Sequence, residues 1–194
     1  MSEFLLYVKL GLYHVLDWNA YDHILFLIVL TVSYSFDNWK KILVLVTLFT
    51  LGHTTSLFLA AYDVVSVNSK LVEFLIPLTI LAAAIFNLLT AGKSSNKNSV
   101  GVLYATTIFF GLIHGLGFSS YFNAVSSNVS SKILPLIEFG LGIELAQLIV
   151  VFIVLIISFI IQTIFRFSKR DWILVVSSIV IGMVIPMIIS NKIW

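Results

Sequence analysis

The chain has 194 residues, of which 60% are hydrophobic and 10% charged, with a mean hydropathy of +1.09, a formal net charge of +2 and no cysteine. Those values lie far outside the soluble range and point to a polytopic membrane protein. They exclude a sizeable domain outside the membrane, a nucleic-acid-binding surface, disulfides, thiolate metal sites and thiol nucleophiles.

In chain order, residues 4–16 form an apolar stretch too short to cross a bilayer, interrupted by Asp17-Trp18-Asn19. Residues 1–18 are therefore read as an interfacial or re-entrant helix. About six spanning helices follow, near 20–36, 41–62, 70–92, 100–118, 136–165 and 171–190, each approaching or exceeding the ~20 residues a span requires. The expectation is an all-α transmembrane bundle forming a single domain over residues 1–194. The fifth run is long enough to require tilt or projection. Breaks fall at Asp37 to Lys41, around Asn68-Ser69-Lys70, at Gly92 to Ser99, at Ser126 to Lys132 and at Arg166 to Asp171. Pro135 suits the first turn of a helix, whereas Pro77 and Pro186 fall inside spans and are expected to kink them. The N-terminus lacks a basic region and a small-residue cleavage site, so no cleaved signal peptide is expected.

Loop charge sets the orientation. Lys40, Lys41, Lys93, Lys97, Arg166, Lys169 and Arg170 fall on one side; Lys9, Lys70, Lys132 and Lys192 fall on the other. The first side is read as cytoplasmic, with both termini outside a bacterial-type inner membrane. Trp18, Trp39, Trp172 and Trp194 all fall near the expected interfaces, where indole rings settle. His23 then starts the first span, and His53 and His114 lie about twelve and fourteen residues from the inner ends of theirs, in the outer half at 1.5 Å per residue. Glu73 and Glu144 enter from the outer ends of the third and fifth spans. Five helices thereby bring polar groups to a similar depth.

An ionisable side chain near the bilayer centre costs about 2.5 to 3.5 kcal/mol on insertion scales, so these groups need partners, water or an ion. The metal-ligand candidates are His14, His23, His53, His114, Asp22 and Glu144. Imidazole and carboxylate without thiolate suit zinc, nickel, cobalt, copper(II) or iron(II) and disfavour copper(I). Adjacent Asp22 and His23 point about 100° apart on a helix, so one is expected to orient a neighbour instead of sharing the ion. The competing reading for each histidine is an imidazole satisfied by a backbone carbonyl or a hydroxyl; Glu73 can snorkel to water. His53 and His114 both close a Phe-x-x-x-His pattern with Leu at its centre, Phe49 to His53 and Phe110 to His114, on helices expected to run in the same direction. Gly111 and Gly115 form a GxxxG, and Gly140 and Gly142 precede Glu144, so backbones can approach closely there.

These motifs resemble the HupE/UreJ family of hydrogenase and urease accessory permeases, small six-span proteins associated with nickel or cobalt uptake. The matching residues are His14 with Asp22-His23-Ile24-Leu25-Phe26-Leu27, Gly52-His53-Thr54, Phe110 through Phe118, and Gly142-Ile143-Glu144-Leu145-Ala146-Gln147. By position the resemblance carries over His14, Asp22, His23, Gly111, His114 and Gly115. Phe110 and Gly117 stand where the family motif has His and Glu, and the gap from His14 to Asp22 is longer, so the chain is similar to a divergent branch. His53 and Glu144 are the residues placed to supply the missing nitrogen and carboxylate.

Three functions remain open on the sequence. A permease would capture zinc, nickel or cobalt at the outer site and pass it inward, where only Asn87, Thr47, Thr106 and Thr107 offer polar groups. Its partners would be the lipid bilayer, the metal ion and, since no nucleotide-binding motif is present, either an ion gradient or a membrane or periplasmic partner protein. A metal-dependent enzyme would act on a lipid-borne substrate in the outer leaflet, with Asp22 or Glu144 as general base and Ser56, Ser119 or Ser120 as hydroxyl donors. A metal-free accessory subunit would use the polar groups only to join helices.

Overall fold

A computed structural model describes residues 3–93, 100–127, 129 and 131–193. Lys97, Ser99, Trp194 and the first two residues of the expected N-terminal helix lie outside the described residues. Everything regular among the described residues is helical: α1 Glu3–Val15, α2 Asp22–Thr31, a 3-10 turn Phe36–Asn38, α3 Trp39–Ala61, α4 Ser69–Thr90, α5 Val100–Gly117, α6 Ser119–Val125, α7 Ile133–Thr163 and α8 Lys169–Ser190.

Several boundaries have local causes. The Asn68 side chain accepts the Lys70 N–H at 3.0 Å at the start of α4, and the Ser168 hydroxyl accepts the Asp171 N–H at 3.1 Å at the start of α8. Each satisfies a backbone donor that the first helical turn leaves without an intrahelical partner. Pro135 occupies the first turn of α7, where its missing N–H costs nothing. At the opposite kind of end, the Lys132 ammonium donates to the Ala61 carbonyl at the close of α3 and to Asn123 Oδ1, both at 2.8 Å, which joins α3, α6 and α7.

Five of these helices are long and apolar enough to cross a membrane, counting the 3-10 turn with α3. The protein is multi-pass. Over 20–36 the helix is confined to the ten residues of α2, about 15 Å or half the hydrocarbon thickness, because Ser33, Tyr34 and Ser35 interrupt the apolar run. Helices α1 and α2 are thus two short pieces set against the longer ones. Helix α1 lies along α7 at backbone contact: a Cβ on Gly11 would strike the Phe139 carbonyl, and one on Gly142 would strike that of Val8.

Helices α3 and α5 run side by side in the same direction, with Gly111 against the Phe49 carbonyl and Gly115 against that of His53. Only residues without a side chain permit that approach, as at GxxxG crossings generally. Helix α4 packs against α8, with Asn191 at the end of α8 donating to the Glu73 carbonyl near the start of α4. Two apolar cores result. One gathers Phe122, Phe139 and Ile143 with α1 and α3; the other gathers Phe26, Phe49 and Ile80 with α4, α5 and α8. The histidines lie between them.

Candidate metal centre

Histidines from three separate segments converge: His14 from the last turn of α1, His23 from the first turn of α2 and His53 from α3. One ring nitrogen of each lies within 4.8 Å of the others, a spacing suited to a shared metal ion. Ring centroids are 4.6 Å apart for His14 and His23, 5.7 Å for His14 and His53, and 5.6 Å for His23 and His53. His114 of α5 stands at the edge of the group, 5.2 Å from His23.

The tautomers of two rings follow from their neighbours. A carboxylate only accepts, so His23 donates Nδ1–H to Asp22 Oδ1 at 3.0 Å; a carbonyl only accepts, so His114 donates Nδ1–H to Phe110 O at 2.8 Å. In both rings Nε2 then carries the lone pair. This is how metal-ligating imidazoles are commonly held, with the remote nitrogen fixed by a carboxylate or carbonyl. Asp22 thereby acts on its own neighbour, and its Oδ1 also accepts the His23 backbone N–H at 2.8 Å.

Nε2 of His14, His23 and His114 and both ring nitrogens of His53 are buried without a hydrogen-bond partner. An unmet buried polar atom costs about 1–3 kcal/mol, so five of them in one place call for a ligand. Burial, reinforced by the neighbouring His23, pushes the His14 imidazole well below its ordinary pKa and keeps it in the neutral, ligating form.

A cavity of about 500 Å³ adjoins the group, lined by His14, His23, His114, Asp17, Asp22 and Glu73 among others. Its acids come from the loop after α1, the start of α2 and the start of α4, with no Lys or Arg in the lining, which favours cations. His53 lies behind the cavity, fully buried. On the opposite side of the histidines, one helical turn from His23, His53 and His114 respectively, stand Phe26, Phe49 and Phe110. Phe26 stacks on Phe49 at 4.7 Å and meets Phe110 edge-on at 5.7 Å. The histidines therefore sit between an acidic mouth and an aromatic floor.

The other sequence candidates fall elsewhere. Glu144 is not in the grouped set: its carboxylate accepts Thr47 Oγ1–H at 2.7 Å and a very short bond from Thr50, residues that flank Phe49 on α3. Ser119 Oγ donates to Leu116 O at 2.8 Å and Ser56 Oγ to His53 O at 3.0 Å, so both hydroxyls are occupied by backbone. Asn87 donates to Val29 O at 2.7 Å, and Thr106 and Thr107 return to carbonyls of their own helix. Glu138 of α7 is buried and was not singled out by the sequence. An acid so near a helix start is ordinarily exposed, and nothing in its spacing distinguishes it.

A family model described as HupE / UreJ protein matches residues 1–191. The chain belongs to the HupE/UreJ family. Neither the curated proteins nor the solved structures yielded a match. Membership agrees with the resemblance carried by the His14, Asp-His and Gly111 to Gly115 motifs, and the family is associated with metal handling.

Proposed function

We propose that the chain is a divalent-metal permease of the bacterial-type inner membrane, taking zinc, nickel or cobalt from the outer side. His14, His23 and His53 hold the cargo, His114 supplies or exchanges a fourth nitrogen, and Asp22 orients His23. The observation that carries this reading is the convergence of three imidazoles, each with an unpartnered ring nitrogen, from three segments, beside an acidic cavity. The positive-inside bias supports an orientation with that cavity and both termini on the outer side. Asp17 and Glu73 collect cations at the mouth, and neutral imidazoles replace the water of hydration within. The floor of Phe26, Phe49 and Phe110 is the barrier that a conformational change must open.

A hydrolytic role finds less support, because Ser56 and Ser119 are bonded to backbone and Asp22 is occupied by His23. Uptake into proteoliposomes tests the proposal. The purified chain should accumulate at least one of the three metals from the acidic-mouth side, and His53→Ala should abolish that uptake. Equal uptake by wild type and His53→Ala would overturn it.

A further inference from the structure

A second polar group lies outside the histidine site. Glu144 sits eleven residues along the 31-residue α7, about 16 Å from its start, where a bare carboxylate is hardest to keep. Two hydroxyls from α3, Thr47 and Thr50, are aimed at its two oxygens. Gln147, one turn further along α7 and fully buried, places Oε1 3.3 Å from Thr50 Oγ1 and leaves Nε2 without a partner.

The hydrogen count does not close. The Thr50 hydroxyl has one proton and faces three acceptors: Glu144 Oε2, Gln147 Oε1 and, at 3.2 Å, Val46 O. Turning the Gln147 amide over pairs one of its atoms with Thr50 and strands the other. With Nε2 turned to Thr50, the Gln147 oxygen is left without a donor beside a half-buried carboxylate that has no counter-charge, and a bound cation would satisfy both. If the Thr50 proton turns to the Val46 carbonyl, its lone pairs and the carboxylate face the same point.

We infer that Glu144, Thr47, Thr50 and Gln147 form a separate sodium-binding site between α3 and α7. All of the donor atoms are hard oxygens, unlike the nitrogen set of the histidine group, so the two sites select different ions. One carboxylate balances one positive charge. A divalent ion would leave a net charge in the membrane interior. Thr50 and His53 lie one turn apart on α3, so occupancy of the oxygen site bears on the helix that carries a metal ligand. Sodium binding stands by itself; its use as the driving ion for uptake rests on the permease reading.

The test uses the full chain in lipid nanodiscs, with a chelator and no transition metal, so that its result is independent of the histidine site. Radioactive sodium binding is measured for wild type, Glu144→Gln, Gln147→Leu and Thr47→Val, with helical content and monodispersity checked for each. Saturable binding displaced by unlabelled sodium but not by choline is expected in wild type. Glu144→Gln should abolish it, and Gln147→Leu and Thr47→Val should each weaken it by about tenfold. Absence of saturable binding in wild type, as for a site that takes only a proton, would overturn the inference. So would undiminished binding in a correctly folded Glu144→Gln variant.

Discussion

The Asp22 carboxylate accepts the Nδ1–H of His23 at 3.0 Å and so decides which nitrogen of that ring faces the other imidazoles. Asp22 lies on the cavity wall yet is outside the grouped set and bonds one of its members, His23, which makes it an orienting residue rather than a ligand.

Asp22→Asn keeps an oxygen acceptor but removes the charge that raises the basicity of His23. Metal affinity is expected to fall by about 10–100-fold, the usual effect of losing a carboxylate behind a ligating histidine. Competition against a chromogenic chelator measures this; unchanged affinity would show that Asp22 does not act through His23.

Gly115 packs against the backbone of His53, and an added Cβ would overlap the His53 carbonyl and Ser56 Oγ. Gly115→Ala should therefore force α3 and α5 apart, cost about 1–3 kcal/mol as overpacking does, and weaken metal binding by moving His53. Gly182→Ala is the control. A Cβ there meets nothing within 4 Å, and replacing a mid-helix glycine gains about 0.5–1 kcal/mol. Thermal unfolding of both variants in nanodiscs should shift in opposite directions.

Phe49 stacks on Phe26 directly behind the histidines. Phe49→Ala should lower stability by about 3–5 kcal/mol and, in surviving protein, raise passive leak of metal through liposomes. Phe86→Ala, at an exposed position on α4, should do neither. Leak identical in Phe49→Ala and wild type would remove the floor from the transport path.

The four histidines were legible because an imidazole in an apolar helix is conspicuous, and counting residues from loop charges put His53 and His114 at one depth. Counting does not give azimuth. Glu144 is the case in point: its side chain turns to Thr47 and Thr50 in the α3 and α7 seam, a direction set by how two helices face each other. The pattern shared by Phe49 to His53 and Phe110 to His114 was visible as a weak repeat, and its meaning emerged only when the parallel packing of α3 and α5 put both phenylalanines in one layer with Phe26. The extent of α2 was obscured for another reason. Hydropathy averages over Ser33 to Ser35 and does not register that hydroxyl-rich residues near a helix end favour turns.

The most direct test is the amount of metal held per chain in nanodiscs after loading with zinc, nickel and cobalt in turn, for wild type, His14→Ala, His23→Ala and His53→Ala. The account predicts stoichiometric binding of at least one of these ions by wild type and its loss in all three variants, with folding retained. Binding by His53→Ala equal to that of wild type would contradict it.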